Sequence, residues 1–259
     1  MTTIFIGELL GTLTLVLLGD SVVANVVLNK TKGQNAGWIV ITTGWAFAVL
    51  IGIFVSKACG SPAAHLNPSV TVGMAIMGGI TWAQAPVFIA AQMIGGFLGA
   101  VIMYLHYLPH FKETEDPGAK LAVFSTAPAI RDPATNWLGE IIATFMLVFG
   151  IACIFSKGMG IAAPVDAPAE LAGVAAGFNQ IGSGFGPLFV AFLIWGIGLT
   201  LGGTTGYSMN AARDLSPRIV HAILPIPGKG DSDWGYAPIG AFGPIIGAVI
   251  AAIAFNALG

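Results

Sequence analysis

Two short segments hold the residues best suited to chemistry: Ala64-His65-Leu66-Asn67-Pro68-Ser69-Val70-Thr71 and Tyr207-Ser208-Met209-Asn210-Ala211-Ala212-Arg213-Asp214. Each sets an Asn ahead of roughly ten residues before the next loop, which at about 1.5 Å rise gives about 15 Å of helix, half of a hydrocarbon core. Asn is a preferred helix N-cap, and a helix N-terminus presents unpaired N–H donors with about half a positive charge. Two such ends meeting at the membrane midplane would repel cations. The Asn side-chain amides would meanwhile replace the water that a neutral hydroxylic solute sheds. Irregular backbone ahead of each Asn is tolerated at that depth only where it lines a wet cavity or is buried in protein. The chemistry implied is passage of small uncharged molecules, with no bond made or broken.

Other groups are weighed against that reading. Glu8 and Glu140 lie inside apolar stretches, where an ionisable group is a functional suspect. They suit either coupled proton transport or the bracing of backbone N–H groups in the two Asn-led loops; their matched placement in the sequence favours bracing. His65 fits the tying of the first loop better than protonation-driven gating. Asp20, late in the first apolar stretch, has no partner evident from sequence. Cys59 and Cys153 lack metal-ligand spacing and read as small apolar fillers. No phosphate loop, catalytic triad or metal cluster is visible, so an enzyme is not indicated and no cofactor is called for.

The elements that must hold these segments are membrane spans. The chain has 259 residues, 56% hydrophobic and 8% charged, with a mean hydropathy of +0.85. An ordinary soluble domain carries roughly 25% charged residues. Six stretches, approximately 5–28, 38–57, 83–107, 136–156, 187–205 and 237–257, are long and apolar enough to cross a bilayer. Residues 1–28 lack the basic start and cleavage site of a signal peptide and read as a retained span. A net charge of −2 without a basic cluster indicates neither nucleic acid nor an anionic lipid surface as partner.

The chain also repeats itself. Gly7-Glu8-Leu9-Leu10-Gly11-Thr12 returns as Gly139-Glu140-Ile141-Ile142-Ala143-Thr144, each opening a long apolar stretch. Residues 1–110 form a first repeat, 111–133 a connecting loop and 134–259 a second repeat within one channel domain. With three spans per half, the second copy enters from the opposite side, so the expected fold is all-α: six transmembrane helices plus two re-entrant half-helices in an inverted repeat. A second long linker, 158–186, is expected to be largely loop with room for a short interfacial helix.

His65-Leu66-Asn67-Pro68-Ser69 and Gly206-Tyr207-Ser208-Met209-Asn210-Ala211-Ala212-Arg213-Asp214 resemble the paired Asn-Pro-Ala boxes of the major intrinsic protein family, in its aquaglyceroporin or glycerol facilitator branch. Ser69 stands where the family has Ala and Ala211 where it has Pro; the half-helix is expected to persist. The resemblance implies a central pore constriction at Asn67 and Asn210. It also implies a selectivity filter at Trp45, Gly198, Tyr207 and Arg213, with Gly198 leaving room for a three-carbon solute. The loop Lys57-Ala58-Cys59-Gly60-Ser61-Pro62 is about two residues longer than the family's, which keeps Thr43 and Phe47 open as alternatives to Trp45. Glycerol, similar small neutral solutes and water are the implied cargo, in a homotetramer within the cell membrane. A proton-coupled secondary transporter is the alternative. Positive-inside counting sets Lys30, Lys32, Lys112, Lys120, Arg131, Arg218 and Lys229 against Lys57 and Lys157 and by itself puts the termini outside. The resemblance puts both termini in the cytoplasm, and that orientation is the one expected.

Overall fold

The computed structural model describes residues 1–156 and 169–258; for 169–184 it describes the backbone alone. Ten helices follow in order: α1 (Thr2–Val27), α2 (Trp38–Ala58), α3 (Pro68–Ile76), α4 (Ala85–His106), α5 (Leu108–Glu113), α6 (Pro117–Phe124), α7 (Pro133–Ile154), α8 (Ala169–Thr200), α9 (Ala211–Ile223) and α10 (Ala237–Ala257). No strand occurs among the described residues. Helices α1, α2, α4, α7 and α10 are each long and apolar enough to span a membrane, and α8 carries a further apolar stretch over Phe185–Thr200. Their outward faces are aliphatic and aromatic, Phe47, Ile51 and Phe54 on α2 for example, because lipid tails leave nothing to gain from a polar exterior.

The second half repeats the first: α1 packs on α2 and α4 as α7 packs on α8 and α10. The halves are locked by exchange, since α9 packs against α4 and α3 against α10. Both long contacts use the same device. A Cβ on Gly95 of α4 would run into the Leu9 carbonyl oxygen of α1, and one on Gly247 of α10 into the Ile141 carbonyl oxygen of α7. Only a residue without a side chain lets the backbones come this close, which is how helices associate where no hydrophobic effect drives them together.

Two expectations need correction. The fifth span is not 187–205: α8 starts at Ala169 and ends at Thr200, where Gly202 and Gly203 take over in a turn. The loop expected over 158–186 is therefore helical from Ala169 onward, and its portion 158–168 lies outside the described residues. The glycines in that stretch argue for loop on propensity, but the backbone is helical from Ala169 onward, so single-residue preferences do not decide it. The connection 111–133 is also more than a tether. It contains α6, capped by the Asp116 side chain accepting from Gly118 N at 2.8 Å, and α6 packs on α1 and α9.

Candidate pore

The two Asn residues initiate α3 and α9 as N-caps in extended conformation. Asn67 Oδ1 accepts from Ser69 N at 2.8 Å; Asn210 Oδ1 accepts from Ala212 N at 2.9 Å and Arg213 N at 3.3 Å. Helix α9 forms without a proline at its first position. Each Asn also donates across the midline: Asn67 Nδ2 to Met209 O and Asn210 Nδ2 to Leu66 O, both at 2.8 Å. An amide nitrogen has two protons. One from each Asn is thus committed to the opposite loop, which leaves one from each for whatever occupies the space between them.

The loops ahead of the caps are strained in register. Ala64, Leu66, Tyr207 and Met209, the third and first residues before each Asn, all have positive φ, from 40° to 53°. Each such residue costs about 1–3 kcal/mol and persists only where surroundings over-determine it. Glu8 and Glu140 lie at these loops. Glu8 accepts from Ser61 Oγ (2.7 Å), His65 N (2.9 Å), Leu66 N (2.8 Å) and Gln92 Nε2 (2.8 Å). Glu140 accepts from Ser208 N (2.9 Å) and Met209 N (3.0 Å). His65 stacks on Phe88 with centroids 4.6 Å apart, and its Nδ1 meets Thr71 Oγ1 at 3.2 Å.

A cavity of about 930 Å³ lies between the halves. At the α9 end it is walled by Trp45, Tyr207 and Arg213; it passes Asn67 and Asn210 and reaches Lys57, Phe155 and Ser156 at the α3 end. Its walls are of two kinds. Leu15, Val49, Ile53, Leu147, Ile151, Val190 and Ile194 from the long helices form an apolar side, while the loops and caps contribute His65, Asn67, Ser208, Asn210 and Arg213.

The structure brings Trp45 to Arg213, whose guanidinium carbon lies 4.2 Å from the Trp45 ring centroid. Neither alternative does this: Phe47 is 57% exposed on the outer face, and Thr43 Oγ1 returns to Ile39 O at 2.6 Å. Trp45 Nε1, Tyr207 Oη and Arg213 Nη1 have no partner among the described residues. Gly198 is not on the open wall. It lies behind Tyr207, where an added Cβ would be 3.1 Å from Tyr207 Cζ and 3.0 Å from Thr42 Cγ2.

Some contacts around the pore escaped the sequence reading. Trp38 packs edge-on to Tyr207 at 5.7 Å and 85°, and its Nε1 donates to Gly198 O at 2.9 Å. Asp214, fully buried, accepts from Arg218 at 3.0 Å and from Thr126 N and Oγ1 at 2.7 and 2.5 Å. Arg218 further donates to the carbonyls of Thr126, Ser232 and Asp233. This cluster ties α9 to the connection before α7 and to the loop before α10. The i,i+4 spacing of Asp214 and Arg218 was a legible signal; nothing in sequence pointed to Thr126 or Trp38. Lys229, in the loop beyond α9, donates to His221 O, Ala222 O and Leu224 O at 2.6–2.7 Å, and burial holds its pKa below the usual lysine range.

Six spans, two half-helices meeting head to head and a continuous cavity between them define a multi-pass membrane channel. The comparisons with known proteins agree. The family model described as Major intrinsic protein matches residues 1–255. The chain is 49% identical over 255 residues to the probable glycerol uptake facilitator protein of Thermotoga maritima, covering 98% of each. It is 48% identical to glycerol uptake facilitator protein 3 of Lactiplantibacillus plantarum, covering 98% of this chain and 95% of the relative. The X-ray structure of the aquaglyceroporin from Plasmodium falciparum superposes with a TM-score of 0.77 at 26% identity, covering 98% of this chain and 95% of that one. The chain belongs to the major intrinsic protein family.

Proposed function

We propose that the chain is a passive channel conducting glycerol and similar small uncharged solutes, with some water, while excluding protons and ions. The observation that carries this reading is the two-sided cavity. Asn67 and Asn210, each with a second amide proton left over from its bond to the opposite loop, and Arg213 line the polar side, opposite a continuous aliphatic side. A polyol presents hydroxyls on one edge and carbon on the other, so it can exchange hydration for those donors while its CH groups stay against the apolar wall. The relatives named as glycerol uptake facilitators support the same cargo.

In this reading Asn67 and Asn210 are the central pore constriction, where the two positive helix ends turn cations away. Trp45, Tyr207 and Arg213 form the selectivity filter, and Gly198 sets its width by giving Tyr207 room to lie back. Glu8 and Glu140 brace the loops together with His65. The backbone N–H groups on both carboxylates support bracing over proton carriage, since their oxygens are occupied by loop donors. We place both termini in the cytoplasm and the protein as a homotetramer in the cell membrane. The basic residues on the filter side do not weigh against this orientation, because most of them are engaged locally: Arg218 with Asp214, Lys229 with the end of α9, Arg131 with Asp233, Lys30 with Glu113 and Lys120 with Pro227 O.

Stopped-flow light scattering on proteoliposomes tests the function. Sucrose should cause shrinkage alone, and glycerol shrinkage followed by rapid reswelling. Shrinkage without reswelling in glycerol, or glycerol uptake that follows an imposed pH gradient, would overturn it.

A further inference from the structure

At the α9 end of the cavity the Tyr207 ring is held by packing alone. Tyr207 is buried, and its Oη meets no partner among the described residues. Two glycines shape the slot around it: a Cβ on Gly202 would stand 2.3 Å from Tyr207 Cδ1, and one on Gly198 would stand 3.1 Å from Cζ. A ring without a hydrogen bond keeps its place only as long as its neighbours keep theirs. Trp38 is the aromatic neighbour, its ring centroid 5.7 Å away and its plane turned by 85°.

Trp38 is itself anchored. Helix α8 ends at Thr200, and its last carbonyls lack the partners that a continuing helix would supply. The N–H groups of Leu201 and Gly202 both turn to Ile197 O, at 2.8 and 3.1 Å. Gly198 O is thereby left to a side chain, and the Trp38 indole Nε1–H donates to it at 2.9 Å. A helix-end carbonyl must find a donor somewhere, so this bond fixes the indole against α8. Trp38 opens α2, and Trp45 follows seven residues later, two turns along the same face. Thr42, between them, is the α2 residue that Gly198 approaches. One indole thus joins three walls: α2 carrying Trp45, α8 at Gly198, and the loop carrying Tyr207.

We propose that Trp38 is a positioning residue that sets the solute size limit of the filter: held by Gly198 O, its indole keeps the Tyr207 ring from swinging away from the cavity. Trp38 is not among the residues that line the cavity, so it acts through Tyr207 without touching the solute. The proposal rests on the reading of Tyr207 as a filter wall.

The test is the flux of glycerol and of the longer polyol erythritol through the full-length channel in proteoliposomes, read by stopped-flow light scattering. Trp38→Ala removes both the donor and the ring, and should raise erythritol flux relative to glycerol by about tenfold, the scale of one hydrogen bond and one aromatic contact released. Trp38→Phe keeps a ring and deletes only the N–H. It should move the ratio the same way to a smaller extent, and it serves if the first variant does not assemble. In a Tyr207→Ala background neither Trp38 substitution should change the ratio further, because residues that act through one another are not additive. A ratio that stays at the wild-type value in Trp38→Phe, with both fluxes falling together as they would for a residue that merely stabilises the fold, would overturn the clamp. So would a rise that persists in full in the Tyr207→Ala background. A Tyr207→Ala channel with an unaltered erythritol-to-glycerol ratio would instead overturn the filter reading of Tyr207.

Discussion

Replacing Gly198 by Ala adds one methyl group, and the structure says where it goes. Its carbon would stand 3.1 Å from Tyr207 Cζ and 3.0 Å from Thr42 Cγ2, whereas carbons in good contact sit at about 3.5–4.0 Å. The neighbours must therefore yield by about half an ångström. Trp38 packs against the edge of Tyr207 and is pinned by its bond to Gly198 O, so the free direction for the phenol ring is into the cavity, toward Arg213. Overpacking of this kind costs about 1–3 kcal/mol. If a solute needing the full width meets that cost in its barrier, its flux falls by about fivefold to on the order of a hundredfold, at 1.36 kcal/mol per decade. Water, being narrower, should lose much less. The assay is stopped-flow light scattering with glycerol and with sucrose on proteoliposomes whose channel content is matched. Gly198→His should give the same result more severely. Equal fractional loss of glycerol and water flux would refute the idea that Gly198 sets filter width through Tyr207.

Glu140→Gln should leave the Ser208 and Met209 amides competing for one carbonyl oxygen, costing about 1–3 kcal/mol for each donor stranded; Glu8→Gln disturbs four donors and should lower the thermal unfolding temperature of the detergent-solubilised channel further. A wild-type melting temperature combined with lost pH-driven uptake would point to proton carriage instead. Lys229→Met leaves three carbonyls at the end of α9 without their cation, an interaction worth up to about 2 kcal/mol, and the resulting drop in melting temperature should be partly restored by Lys229→Arg. Glu113, exposed, is held below the usual carboxylate range by its hydrogen bond and charge pairing with Lys30. A depressed folded-state pKa means that the stabilisation is present above the unfolded-state value and fades as pH falls through the folded one. Amide exchange at Asn29 and Thr114, corrected for intrinsic rate, should therefore accelerate on acidification below the normal glutamate range.

Much of the fold could be read from residue patterns because membrane insertion is governed by local composition. Five of the six expected stretches coincide with helices to within three residues at each end. The repeated Gly-Glu and Asn-led segments fixed the two-half plan before any contact was known. The fifth stretch was displaced: its helix begins at Ala169, inside the Gly-bearing segment 158–186 that propensity reads as loop, and stops at Thr200, short of the expected 205. The candidate filter was less legible. A loop two residues longer than the family's left three positions open on α2, and only the approach of Arg213 to one of their side chains separates Trp45 from Thr43 and Phe47.

What the sequence alone determined is what hydrophobicity, capping and symmetry determine: a membrane protein, six spans, and two Asn-capped half-helices entering from opposite sides. These follow from interactions within about twenty residues of one another. What only the tertiary structure decided depends on residues far apart in the chain. Asn67 meets Met209 across 142 positions and Asn210 meets Leu66 across 144. Thr126 reaches Asp214 across 88, and Trp38 reaches Gly198 across 160. No periodicity encodes such pairs. They arise where close helix packing leaves buried donors and acceptors that must find one another in a medium without water.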